Sequence, residues 1–183
     1  ATRRGDVVVE QLRVDDWVLT RDSGYRQIRW IGARHFDGKA LGDFPELTPV
    51  RIAKGALGDC MPECDLLVSP QHRMLLTGPR AEELGGETEI LASAEDLIPL
   101  GLADTAMAAS VTYFHILFDS HEIVLANGAW SESFNPETAA LDGLHRLQRN
   151  EILSIFPELA TRSEQNVYPL ARDTFKPAYR RAA

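Results

Sequence analysis

Asp65-Leu66-Leu67-Val68-Ser69-Pro70-Gln71-His72-Arg73-Met74-Leu75-Leu76 decides how this chain is read. Two apolar runs flank a Ser-Pro-Gln-His turn. Proline pre-sets a turn dihedral and biases its neighbours away from helix. Two strands meeting at a tight corner would hold one imidazole, His72, at a fixed place. Imidazole is the side chain best suited to move a proton near neutral pH. The same His72 could equally cap the turn or fill a polar gap, and the turn context leaves both readings open.

A second stretch, Tyr113-Phe114-His115-Ile116-Leu117-Phe118-Asp119-Ser120-His121-Glu122-Ile123-Val124-Leu125-Ala126-Asn127-Gly128, adds His115 and His121 in a hairpin-like setting. His115 sits inside an apolar strand, where a polar ring needs a partner. It is either a satisfied core histidine or part of a site. His121 follows the turn-like Asp119-Ser120 pair. A zinc site from His72, His115 and His121 is conceivable, but their spacings match no compact metal pattern. His35 and His145 read as a loop and a helix residue without a site role.

Outward from these stretches, residues 6–20 read as two short strands around Asp15-Asp16, with Val7, Val8 and Val9 in the first. Asp22-Ser23-Gly24 signals a hairpin turn. Ile28 and Trp30 then alternate with polar neighbours, which predicts one buried face. Residues 36–49 read as loop, 50–52 as strand, 53–58 as a helical turn, 80–84 and 94–97 as short helices, and 89–93 as a strand. Residues 111–125 supply two more strands, closed by the Asn127-Gly128 turn. After Pro136 the pattern changes. Leu141, Leu144 and Leu147 recur at helical spacing, with Thr138 or Asp142 as a cap, and residues 160–183 are polar and irregular. The expected organisation is an all-β domain over 1–135 and a small helical appendage and tail over 136–183.

The chain has 183 residues, enough for one sizeable core. Its apolar content of 44% and charged content of 25% fit a globular protein. A net charge of -8 argues against a nucleic-acid partner, because phosphate attraction dominates that affinity. No apolar run approaches the ~18 residues that would cross a bilayer. The arginines at the start have no apolar signal region behind them. Cys60 and Cys64 could be a disulfide, half a metal site or free thiols. The acids around them, Asp59, Glu63 and Asp65, work against a reactive thiolate, so the pair reads as structural or incidental. No nucleophile elbow, P-loop or dinucleotide fingerprint is present, which makes hydrolase, NTPase and NAD-dependent readings poor. No cofactor is expected.

These segments resemble the Hint family, the Hedgehog/intein self-processing fold, and in particular the bacterial stand-alone domains appended to large secreted-type proteins. Residues 5–22, with Val8, Glu10, Leu12 and Asp16-Trp17-Val18-Leu19-Thr20, are similar to the family's first block. Ser69-Pro70-Gln71-His72 is similar to its second block, and residues 113–128 to the closing block, extending into Trp130-Ser131-Glu132-Ser133-Phe134. No single motif is specific; their order and spacing together are. The resemblance implies an all-β horseshoe of short strands with pseudo-twofold symmetry. It implies self-processing of a peptide bond, in which an upstream Cys or Ser attacks the preceding carbonyl and the amide becomes a (thio)ester. By position His72 matches the histidine that protonates the scissile nitrogen, and Ser69 the residue that supports it. His115 stands where an activating acid is usual, and His121 matches a histidine that assists the later step.

The likeness has departures. The family would place its cysteine roughly half a dozen residues before Ala1, so the resemblance implies that these residues alone do not self-cleave. The closing block runs Gly128-Ala129-Trp130-Ser131 where an intein ends in His-Asn and a nucleophile, which favours cleavage or acyl transfer over splicing. The expected partner is the chain's own N-terminal flanking polypeptide, in cis, and the expected state is a monomer. A different class of function is an interaction module that keeps the fold without chemistry, its Leu144, Leu147 and Ile152 either docking a partner or packing on the β core. A small hydrolase using His72 with Asp65 or Asp119 is a third, weaker reading.

Overall fold

A computed structural model describes residues 1–136, 149, 152, 153 and 169–177. The first strands are β1 (Trp17–Thr20), β2 (Gly24–Gln27) and β3 (Trp30–Asp37). Helix α1 (Gly38–Asp43) and β4 (Val50–Ile52) lead to β5 (Leu66–Val68) and β6 (Arg73–Thr77). Then come α2 (Pro79–Gly85), β7 (Glu89–Ser93), α3 (Ala94–Leu97) and β8 (Asp104–Thr105). The last strands are β9 (Ser110–Leu117), β10 (Ile123–Ala126) and β11 (Ala129–Glu132). The fold is all-β, with a few short helices at its connections. All its ladders are antiparallel: a six-stranded sheet ordered β2-β1-β10-β11-β6-β7, a two-stranded β3-β9 sheet and a three-stranded β5-β4-β8 sheet.

Local chemistry explains the corners. Gly24 carries φ +65 where the first hairpin closes, a backbone state that costs glycine nothing. Asn127 and Gly128 both have positive φ, the signature of a tight hairpin turn, and they set Ala126 opposite Ala129 and Ile123 opposite Glu132. The 69–72 corner closes through a bond from the His72 amide to the Ser69 carbonyl, 3.0 Å. It is held from outside as well: the Glu95 amide donates to the Pro70 carbonyl (3.0 Å) and the Ala94 amide to the His72 carbonyl (2.8 Å). These amides belong to the first turn of α3, where helical N–H groups lack partners of their own.

The largest apolar cluster gathers Val50, Ile52, Val68, Met74, Leu76 and Leu97. A second joins Val18, Ile28, Phe118 and Val124. Ile28 and Trp30 are buried, as their alternation predicts. Strand β6 buries Met74, Leu75 and Leu76 in succession because it lies inside the six-stranded sheet with apolar cover on both faces.

Several local expectations are corrected. The valines of residues 7–9 do not form a strand; Val9–Gln11 is a 3-10 turn, and Val8 and Val9 are exposed. Branched side chains favour strands only where a neighbouring strand receives them. Residues 36–49 are not all loop. Strand β3 runs on to Asp37 because β9 pairs it throughout, and Asp37 then caps α1 by accepting the Ala40 amide at 2.8 Å. Residues 53–58 form hydrogen-bonded turns and no helix. Of the helical pattern expected after Pro136, Thr138, Leu141, Asp142, Leu144 and Leu147 lie outside the described residues, while Ile152 is helical and buried.

Residues 169–177 return to the β body. The Leu91 amide donates to Asp173 (2.9 Å) and the Leu91 carbonyl accepts from Phe175 (2.7 Å), so the segment runs parallel along the outer edge of β7.

Candidate functional site

A cavity of about 510 Å³ opens between the 69–72 corner, β9, β10 and β11. Ser69, His72 and His115 all line it. The corner supplies His72 because the turn ends there and β6 begins one residue later. Strand β9 supplies His115 opposite Gly32, where the indole of Trp30 folds across the glycine. A β-carbon at position 32 would lie 2.1 Å from Trp30 Cη2, so only glycine lets that indole occupy its place. Phe134 then packs edge-on against the His115 ring, 5.0 Å between centroids.

Both imidazoles are held neutral. Burial lowers His72 below its ordinary range; Glu132 opposes that shift, and the Arg73 charge adds to it. Burial likewise drives His115 down to about 4, with the charges of His72 and Arg34 pushing the same way. Each ring therefore disfavours a proton on the other.

His121 is not on the cavity wall. Its side chain is wholly buried, and its Nε2 lies 3.5 Å from Glu132 Oε2 without a formed hydrogen bond. Its Nδ1 accepts the Ala171 amide at 2.9 Å. Glu132 is the residue that links the histidines, and sequence reasoning gave it no role. Its Oε1 accepts the Arg73 amide (2.9 Å) and its Oε2 the Arg73 guanidinium (3.1 Å). Burial by itself would raise the Glu132 carboxyl, but His121, His72 and Arg73 outweigh it and hold the group below its ordinary value. A signal existed. Counting back from the Asn127-Gly128 turn sets Glu132 opposite Ile123, on the strand face that His121 shares two residues earlier.

The other candidates fall elsewhere. Asp65 is taken by Arg51 and the Lys54 amide, and Asp119 by Arg29, so neither serves His72 and the hydrolase pairing is not formed. His35 meets Thr112 on the surface, and His145 lies outside the described residues. Cys60 and Cys64 are exposed free thiols away from the cavity wall. Among the described residues no cluster of His, Cys, Asp and Glu has the geometry to hold a metal ion, and no helix is long and apolar enough to cross a membrane.

Chemically, the cavity offers two neutral imidazoles and one ionised carboxylate within a lining of mixed apolar and polar side chains. It can accept a proton and return it. These features define an all-β domain built around a proton-handling cleft. A family model described as Hint domain matches residues 1–138, and the chain belongs to that family of self-processing domains. No curated protein and no solved structure matches it.

Proposed function

We propose that the domain processes the peptide bond of a polypeptide attached ahead of Ala1, by an N-to-S or N-to-O acyl shift followed by cleavage or acyl transfer. The observation that carries this reading is the convergence of His72, His115 and Glu132 on one cavity whose β10 wall also receives the Ala1 nitrogen, bonded to the Leu125 carbonyl at 2.6 Å. A chain arriving through Ala1 thus enters along β10, the strand that gives Val124 and Ala126 to the cavity lining.

The chemistry follows from the neutral state of His72. A neutral ring accepts the proton of an upstream Cys or Ser as its sulfur or oxygen attacks the scissile carbonyl carbon. The imidazolium that results is a stronger acid than an ordinary one, because its surroundings disfavour the charge. It passes the same proton to the amide nitrogen as the C–N bond breaks, leaving a (thio)ester and a free amine. Glu132 steadies the transient positive charge. Ser69 sits at the corner as support for the scissile amide, His115 replaces an acid as the activating group, and His121 assists the later step through Glu132. Water or another nucleophile then takes the acyl group. We assign this chemistry to residues 1–135, with 136–183 as an appendage.

The test is a protein extended upstream with a cysteine and a reporter domain. Self-cleavage that thiol or hydroxylamine accelerates supports the proposal. His72→Ala should abolish it; cleavage of that variant at the parent rate would remove His72 from the mechanism. A chain that stays uncut for days favours the interaction module instead.

A further inference from the structure

Residues 169–177 do more than cover a sheet edge. Ala171 packs on Leu75, Leu91 and Ile123, and its amide reaches the buried His121 ring. The next residue, Arg172, bonds Asp22 through both terminal nitrogens (2.7 and 3.0 Å) and Glu89 through Nε (2.5 Å). Leu91 grips the segment on both sides of Thr174, and Phe175 packs against the main core. The position of one amide, that of Ala171, is thereby fixed from several directions.

A backbone N–H can only donate, so His121 Nδ1 carries a lone pair. A neutral imidazole has a single ring proton, which must then sit on Nε2. That nitrogen faces Glu132, whose other contacts are the Arg73 amide and guanidinium. We propose that residues 170–175 are a positioning strap for the cavity: the Ala171 amide holds His121 as its Nε2–H tautomer and keeps that proton on the side of the carboxylate beside His72, 3.5 Å away and short of a formed hydrogen bond. Nothing within β10 or β11 bonds to Nδ1, so without the strap the ring is free to turn over or move its proton, and Glu132 loses the N–H held near it. Ala171 is a positioning residue here and meets no substrate. The assignment of the tautomer stands by itself; only its effect on turnover rests on the self-processing reading.

The whole chain, labelled with nitrogen-15 in its histidines, reads this directly. Long-range proton–nitrogen correlation at neutral pH should show a bare Nδ1 and a protonated Nε2 for His121. Ala171→Pro, which removes the donor, and Arg172→Ala, which loosens its anchor, should each populate the Nδ1–H form. A protonated Nδ1 in the unaltered protein overturns the proposal. So does an unchanged single tautomer in both variants, since Glu132 would then suffice. If Ala171→Pro does not fold, Arg172→Ala decides together with hydrogen exchange at the Ala171 amide, and exchange at the rate of an unprotected chain overturns it. In the upstream-extended protein, Ala171→Pro should slow resolution of the (thio)ester severalfold more than the hydroxylamine-triggered cut. Equal slowing of both would mean a merely structural role. If the unaltered extended protein does not cleave, the self-processing reading fails while the ring signature still judges the strap.

Discussion

The carbonyl of His72 accepts the amide of Ala94 at 2.8 Å, which ties the corner to the first turn of α3. That turn is held in turn by Asp96, whose buried carboxylate accepts the Ser93 hydroxyl at 2.5 Å. Asp96→Ala strands a buried hydroxyl and frees the start of the helix. It should cost about 2 kcal/mol in urea unfolding. It should also slow self-cleavage of the upstream-extended protein, although Asp96 does not line the main cavity. Full activity at the reduced stability would show that the corner does not depend on α3.

Glu132→Gln tests the carboxylate that links the histidines. Among the described residues Glu132 is the neighbour drawing His72 upward, so the amide should let the His72 midpoint fall further below its ordinary value. Proton–carbon NMR titration of the imidazole reads that direction. Stability should fall by about 2 kcal/mol, because Arg73 loses its charged partner in a partly buried place. A His72 midpoint that rises or stays would detach Glu132 from the corner.

The depressed histidines give a pH dependence with a definite sign. His115 titrates at about 4 in the folded protein and near the ordinary 6.5 when unfolded. Between those values the unfolded chain binds the extra proton, so stability is complete above about 6.5 and declines as pH falls toward about 4. The low-lying Glu132 carboxylate acts in the same direction, its contribution being lost as pH falls through its folded value. The loss assignable to His115 is at most about 3.5 kcal/mol, of which about 2 kcal/mol is lost by pH 5. Denaturant unfolding at pH 7.5 and pH 5 measures it, and His115→Gln should flatten the profile in that window.

The parts that were legible in the sequence are those fixed by local chemistry. Ser69-Pro70-Gln71-His72 and Asn127-Gly128 announce their turns because proline and glycine restrict the backbone wherever they stand. The alternation around Ile28 and Trp30 announces its buried face for the same local reason. The valines at 7–9 misled because strand propensity is realised only beside a partner strand, and none runs there. Residues 36–37 misled in the opposite sense: β9 imposes a strand on Phe36 and Asp37 that their surroundings do not suggest. Placing His72 and His115 on one cavity needs the pairing of β3 with β9 and of β6 with β11, contacts distant in sequence. Glu132 was within reach by counting register from the turn. The Ala171 contact was not, because it joins residues 50 apart through no repeating pattern.

Gly32 offers the sharpest test of how the His115 wall is built. Strands ordinarily disfavour glycine, yet here one lies opposite His115 in the middle of β3. A β-carbon there would meet Trp30 Cη2 at 2.1 Å and Cζ2 at 2.6 Å, and the indole is buried with Phe134 beside it. Gly32→Ala must therefore displace a packed aromatic ring. Overpacking of this kind costs about 1–3 kcal/mol, and the upper end is expected because the ring is itself buried. Trp30 moves against Phe134, and Phe134 against His115, so the damage should spread to the cavity. The expected signature is a lower unfolding midpoint together with a changed His115 resonance in the folded protein. If Gly32→Ala leaves both unaltered, the indole does not lie across residue 32, and the wall that holds His115 is assembled some other way.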